Sequence, residues 1–265
     1  MSQNILNILF IGDIVGKPGL ELAETLIKSY VQKYSIDFCI ANGENLVDGK
    51  GINDEVVTRL FNTGAHVITG GNHTWDTWQA RKVLGANRNV LRPLNYPSDN
   101  PGNGFVVYDL GEKGKAGVLN LQGRVYMQAI DCPFKKADWA VEKIREQTKI
   151  VFVDMHAEAT AEKMALGWYL DGRITALVGT HTHIQTADAR ILPQGTAYIT
   201  DVGMTGPYDS VIGLKKEIAI RRFIHQTPYK YEMASFDARL SGVYLQADAE
   251  TGKALKFESF VYPAF

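Results

Sequence analysis

The sequence predicts one α/β domain built from two sheets with helices outside them. Early in the chain, apolar β-branched runs alternate with helix-period stretches, which argues for parallel strands joined by right-handed crossovers. Later in the chain, paired strand patterns flank short glycine-containing turns, which argues for hairpins. No internal repeat, low-complexity tract or linker divides the 265 residues, so 1–265 is read as a single domain.

Ile5–Ile11 is apolar apart from Asn7 and stops at Gly12-Asp13. The stretch Ile14-Val15-Gly16-Lys17-Pro18-Gly19 reads as a glycine- and proline-broken loop. A helix follows, because Ala23, Ile27, Tyr30, Val31 and Tyr34 recur at three- and four-residue steps. Residues 36–41 form a second strand, closed by Asn42-Gly43-Glu44-Asn45. Asn53 suits a helix N-cap, with Asp54 and Glu55 favourable in the first turn. Val67–Thr69 is a third strand, ending at Gly70-Gly71-Asn72-His73. Prolines at 93, 97 and 101 then punctuate an irregular stretch. Phe105–Asp109 and residues 118–122 pair across Gly111-Glu112-Lys113-Gly114-Lys115. Ala137, Ala140, Val141 and Ile144 mark a helix, and 150–153 a strand that leads to His156. A helix through Met164, Ala165 and Trp168 precedes the strand 174–177, where Gly179 permits a tight exit into Thr180-His181-Thr182-His183. Residues 197–200 are strand-like, and 243–247 and 255–261 close the chain as a hairpin.

The totals exclude several classes. A net charge of −1 provides no field to hold a nucleic-acid backbone, so no stable nucleic-acid complex is expected. No apolar run approaches the ~18 to 20 residues of a membrane span, and Met1-Ser2-Gln3-Asn4 does not open a secretion signal. Cys39 and Cys132 make no disulfide framework, and Asn72-His73-Thr74 matches a glycosylation sequon without a secretory context. The expectation is a cytoplasmic protein, and a homo-oligomer is compatible with these totals.

Ligands of α/β sheets collect beyond the carboxyl ends of the strands. Five strands here end in polar, metal-capable residues: Asp13; Glu44 and Asn45; Asn72 and His73; His156; and His181 with His183. Each alone has a structural reading, as turn former, solvated charge or hydrogen-bonded histidine. Their joint placement favours a site. His66 and His225 fall outside the set and are read as structural. Carboxylate, amide and imidazole donors without thiolate suit manganese, iron or zinc. The candidate ligands in this set exceed the needs of one four- to six-coordinate ion, which points to two, and Glu44 suits a bridge.

The succession Gly12-Asp13, Asn42-Gly43-Glu44-Asn45, Gly70-Gly71-Asn72-His73, Met155-His156 and Gly179-Thr180-His181-Thr182-His183 resembles the calcineurin-like metallophosphoesterases. The superfamily pattern is roughly GD-x-H, GD-x-x-D, GNH, H and G-H-x-H. Val15 stands where the first-motif histidine belongs, and Glu44-Asn45 replace the bridging aspartate. Both departures resemble the YmdB-like branch. The resemblance implies a four-layer α/β/β/α sandwich, with a single metallophosphoesterase domain over 1–265. It implies two transition-metal ions, iron or manganese first and zinc as the alternative. One ion is implied on Asp13, Glu44, Asn45 and His183, the other on Glu44, Asn72, His156 and His181. The Asn45 amide would fill the place left by Val15. His73 is implied as general acid, and the implied reaction is phosphodiester hydrolysis by a metal-bridged hydroxide, including 2′,3′-cyclic nucleotides. Trp75, Tyr126 and Tyr208 are candidate stacking surfaces, although an aromatic near a loop is more often packing.

Three rival readings stand beside this one. A P-loop reading of Gly12 to Lys17 fails because the spacing is one residue short and Pro18 stands where Ser or Thr is needed. A dinuclear hydrolase of another ester or amide would use the same ion pair. A regulatory nucleotide- or partner-binding protein with little turnover would have no need of a leaving-group acid at His73.

Overall fold

The computed structural model describes residues 4–265; the reading made on Met1 to Gln3 lies outside them. The first sheet is built on β1 (Ile5–Ile11), β2 (Asp13–Ile14), β3 (Phe38–Asn42) and β4 (Val67–Thr69). β1, β3 and β4 run parallel, as the alternation with helices requires. The second sheet takes β5 (Phe105–Asp109), β6 (Lys115–Gln122), β7 (Val151–His156), β8 (Ala176–Thr180), β9 (Arg190–Ile191) and β10 (Ala197–Ile199), in the order β5-β6-β7-β8-β10-β9. β11 (Met204–Pro207), β12 (Ala238–Asp248) and β13 (Ala254–Tyr262) return to the first sheet, whose order is β2-β11-β12-β1-β3-β4 with β13 outside β12.

The inner faces meet in an apolar core of Phe10, Ile40, Val118, Phe152, Val178 and Val243, where Phe10 stacks on Phe152 at 5.3 Å. Helices α1 (Gly16–Lys33), α2 (Asp54–Phe61) and α3 (Ala80–Ala86) cover the first sheet through Leu20, Ile27, Leu60 and Val83. Helices α4 (Pro133–Arg145) and α5 (Thr160–Leu170) cover the second through Ala140, Ile144 and Leu166. The result is the expected α/β/β/α sandwich. Helix α6 (Lys216–His225) stands apart, mostly exposed.

Two local expectations change, and one strand is added that the sequence did not signal. Of the 14–19 stretch only Val15 lies between elements, because Ile14 ends β2 and α1 begins at Gly16. Pro18 lies in its first turn, where a missing N–H costs no helical hydrogen bond. Residues 204–207 are strand, pairing β2 on one side and β12 on the other. β8 continues through Gly179 to Thr180, so the chain turns one residue later than the glycine suggested. Gly179 serves close approach instead: a Cβ there would collide with the Thr200 carbonyl and the Lys163 stem.

Candidate metal centre

The parallel registers bring the carboxyl ends of both sheets to one edge. Ile11 aligns with Ala41 and Ala41 with Ile68, while Gln122, His156 and Thr180 align across the second sheet. Asp13, Glu44, Asn45, Asn72, His156, His181 and His183 all meet above that edge. Glu44, His156 and His181 offer ligand atoms within 4.8 Å of one another, as do Asp13, Glu44 and His183. Both groups contain Glu44. His181 and His183 therefore serve neighbouring groups, reached because the chain turns through left-handed backbone at His181 (φ 100°) and His183 (φ 66°). Non-glycine residues rarely adopt that conformation, and it concentrates at functional sites.

Each histidine has one ring nitrogen tied outward. His156 Nδ1–H donates to Thr180 Oγ1 at 2.9 Å, and that hydroxyl donates to Asp154 at 2.7 Å. His183 Nδ1–H donates to the Ile212 carbonyl at 3.0 Å. His181 Nε2 lies 3.2 Å from Glu158. These partners orient the other nitrogen of each ring toward the cluster, as outer partners of metal-binding histidines do.

The donor set fits cations. His156 Nε2 lies 2.9 Å from Asn72 Oδ1, 3.2 Å from Glu44 Oε1 and 3.1 Å from His181 Nδ1. A single proton there can serve one acceptor well, whereas a cation can serve all four atoms. Asp13 accepts the His181 backbone N–H through Oδ2, but its buried Oδ1 has no hydrogen-bond partner among the described residues. A native structure rarely leaves such an atom unexplained, and a metal explains it. Asn45 Nδ2 sits 3.0 Å from Glu44 Oε1 and 3.2 Å from His183 Nε2. An amide nitrogen cannot ligate, so Asn45 would bind an ion only after turning its amide over to present Oδ1.

Charge balance supports the same picture. Burial raises the Asp13 carboxyl, partly opposed by His156. Burial alone would also raise Glu44, but His156 and His73 hold it low, at about 2. His156 is driven the other way: burial opposes its charge, yet Glu44, Asp13 and Asp154 outweigh it and lift the imidazole to about 9. Burial and the neighbouring His156 depress His181 to about 3. The buried carboxylates demand one compensating positive charge, which His156 supplies as a proton and an ion can replace.

His73 lies at the rim. Its backbone N–H donates to Glu44 Oε2 at 3.0 Å, and its Nδ1 lies 2.8 Å from Asp76 Oδ2. It lines an open cleft of about 650 Å³ together with Glu44, His181 and His183. None of Trp75, Tyr126 or Tyr208 lines this cleft. Trp75 packs beside Tyr96, Tyr126 faces solvent, and the Tyr208 hydroxyl donates to the Met204 carbonyl. Lys50, Arg222, Phe223 and Tyr231 line it instead. His66 is structural as expected, its Nδ1 accepting the Cys39 backbone N–H at 3.0 Å.

Sequence reasoning did not single out Asp76, Asp154 or the buried Lys163–Asp201 pair (2.7 Å). Asp201 also accepts the backbone N–H of Thr182 at 3.1 Å, between the two histidines. The available signal was charge in apolar surroundings: Asp154 inside a strand, and Lys163 on the buried face of α5.

The four-layer sandwich with this cluster above its strand ends is of the metallophosphoesterase type. A family model described as YmdB-like protein matches residues 9–260, and the chain belongs to that family. A Bacillus subtilis protein named 2′,3′-cyclic-nucleotide 2′-phosphodiesterase is 47% identical over 253 residues, covering 96% of each chain. The crystal structure of a novel phosphatase from Mycoplasma pneumoniae superposes with a TM-score of 0.92 at 36% identity, over 98% of this chain and 94% of that one. A hypothetical protein from Thermus thermophilus matches at TM-score 0.90 and 39% identity, over 97% of this chain and 99% of that one.

Proposed function

We propose that this protein is a dinuclear metal-dependent phosphodiesterase acting on 2′,3′-cyclic nucleotides, with residues 1–265 as one metallophosphoesterase domain. The observation that carries the reading is the pair of ligand groups sharing Glu44, with the unpartnered Asp13 oxygen beside them. The name of the Bacillus relative supports the substrate class. Asp13, Glu44, Asn45 and His183 would hold one ion, and Glu44, Asn72, His156 and His181 the other. Iron or manganese fits these donors best, and zinc remains compatible. When bound, such ions supply an activated water and offset the charge of the phosphate.

The chain's own part is proton delivery and orientation. The alkoxide expelled when the P–O2′ bond breaks is a poor leaving group at neutral pH. His73 gives that oxygen its proton, while Asp76 accepts from Nδ1 and fixes the ring. Thr180, Glu158 and the Ile212 carbonyl keep the ligand histidines in the tautomers that face the cluster. The free cysteines support a reducing, cytoplasmic setting. The test is to load purified protein with iron, manganese or zinc and supply 2′,3′-cyclic AMP beside a generic carboxyl ester. Metal-dependent release of 3′-AMP with the ester untouched is expected. Ester hydrolysis alone would overturn the reading.

A further inference from the structure

The cleft has two unlike walls. One is the metal cluster and His73. The other comes from the segment between β11 and β12, which contributes Ile212, Phe223 and Tyr231. This wall is tied to the first, since the Ile212 carbonyl accepts from the ring of His183. Ile212 is anomalous twice over. It is a β-branched residue in left-handed backbone (φ 47°), and its side chain is 49% exposed. Neither core packing nor backbone preference explains an isoleucine there; glycine or asparagine would serve the turn better. Phe223 is 75% exposed at the same cleft, and the Tyr231 ring packs beside Gly49, with Lys50 Nζ 5.7 Å from its centre. Exposed apolar side chains against a polar reaction centre suit a ligand with a charged group at one end and a flat apolar face at the other.

We propose that Ile212, Phe223 and Tyr231 receive the nucleobase of the substrate, with Ile212 the residue that makes the enzyme prefer base-bearing cyclic phosphates over baseless ones. This rests on the phosphodiesterase reading above. The strain at Ile212 is retained because its side chain meets the substrate, and the backbone carbonyl it leaves free orients His183.

The test compares kcat/KM for adenosine 2′,3′-cyclic phosphate and glycerol 1,2-cyclic phosphate in metal-loaded wild type, Ile212→Asn and Phe223→Ala. Asparagine tolerates the left-handed turn, so I212N is expected to unfold no lower in temperature than wild type. The adenosine-to-glycerol ratio is expected to fall about fivefold or more in each variant, the scale of losing one contact to a base. Adenosine binding, followed by calorimetry, should weaken in parallel. An unchanged ratio in both variants overturns the proposal. So does an unchanged ratio joined to a loss of self-association in light scattering, which would make this wall a contact between copies of the chain. Failure of the underlying reading looks different, since wild type would then cleave neither diester at full metal loading.

Discussion

At the scale of single residues, Glu44 and His73 make separable predictions. Glu44 belongs to both ligand groups, so Glu44→Ala should lose both ions together, read by elemental analysis after dialysis. Retention of one ion would contradict the shared-ligand geometry. His73→Ala should keep its metal, since His73 offers the cluster only a backbone N–H, yet lose about 10²-fold or more in turnover. Unchanged turnover would remove His73 from the chemistry. pH dependence follows from His156, whose imidazole the neighbouring carboxylates lift to about 9. In metal-stripped protein below that pH it is protonated, and an ion must displace that proton. Apparent metal affinity should therefore rise with pH toward about 9, by about tenfold per unit or more, and fall in acid. Calorimetric titrations at several pH values measure this, and pH-independent loading would contradict it. The candidate ligands and His73 were legible in the sequence because they are polar residues at the ends of apolar runs. Their tautomer-fixing partners were not. Thr180, Asp76 and the Ile212 carbonyl are ordinary loop and strand groups until folding brings them within 3.0 Å of a ring nitrogen.

At the scale of elements, α5 and the loop after β8 are joined by the buried Lys163–Asp201 pair. Asp201 Oδ2 accepts both the Lys163 ammonium and the Thr182 N–H, and Oδ1 accepts the Gly203 N–H. Lys163→Met keeps the aliphatic stem against Gly179 but leaves a buried carboxylate unpaired. Such a change costs roughly 3–5 kcal/mol, and here it should also weaken metal binding, because the loop it frees carries His181 and His183. Urea unfolding and metal titration measure the two effects. A loss of stability without loss of metal affinity would confine the pair to a structural role. The parallel units, both hairpins and the Asn53 cap were legible because period and turn chemistry are local; the Asn53 side chain does accept the Val56 N–H, at 2.9 Å. β2, β9 and β11 were not, since two- to four-residue strands owe their conformation to neighbours distant in sequence.

At the scale of the whole molecule, the site exists because two sheets end at the same edge. Asp13, Glu44 and Asn72 come from the first sheet, and His156, His181 and His183 from the second. The inner core that fixes their separation includes the Phe10–Phe152 stack. Phe10→Ala should cost about 3–5 kcal/mol of stability and loosen both ligand groups at once. Among the described residues no helix is long and apolar enough to cross a membrane. The fold class was legible because alternation and hairpins each dictate a layer. The meeting of the two edges was signalled only indirectly, by polar residues at five strand ends and by the resemblance, since no local pattern encodes the packing of one sheet on another.

The most direct test of the shared-carboxylate centre is anomalous diffraction from crystals of the metal-loaded protein. Two peaks about 3.5–4 Å apart are expected, one among Glu44, His156 and His181 and one among Asp13, Glu44 and His183. A single peak that touches only one of these groups, or none at the cluster, would contradict the account.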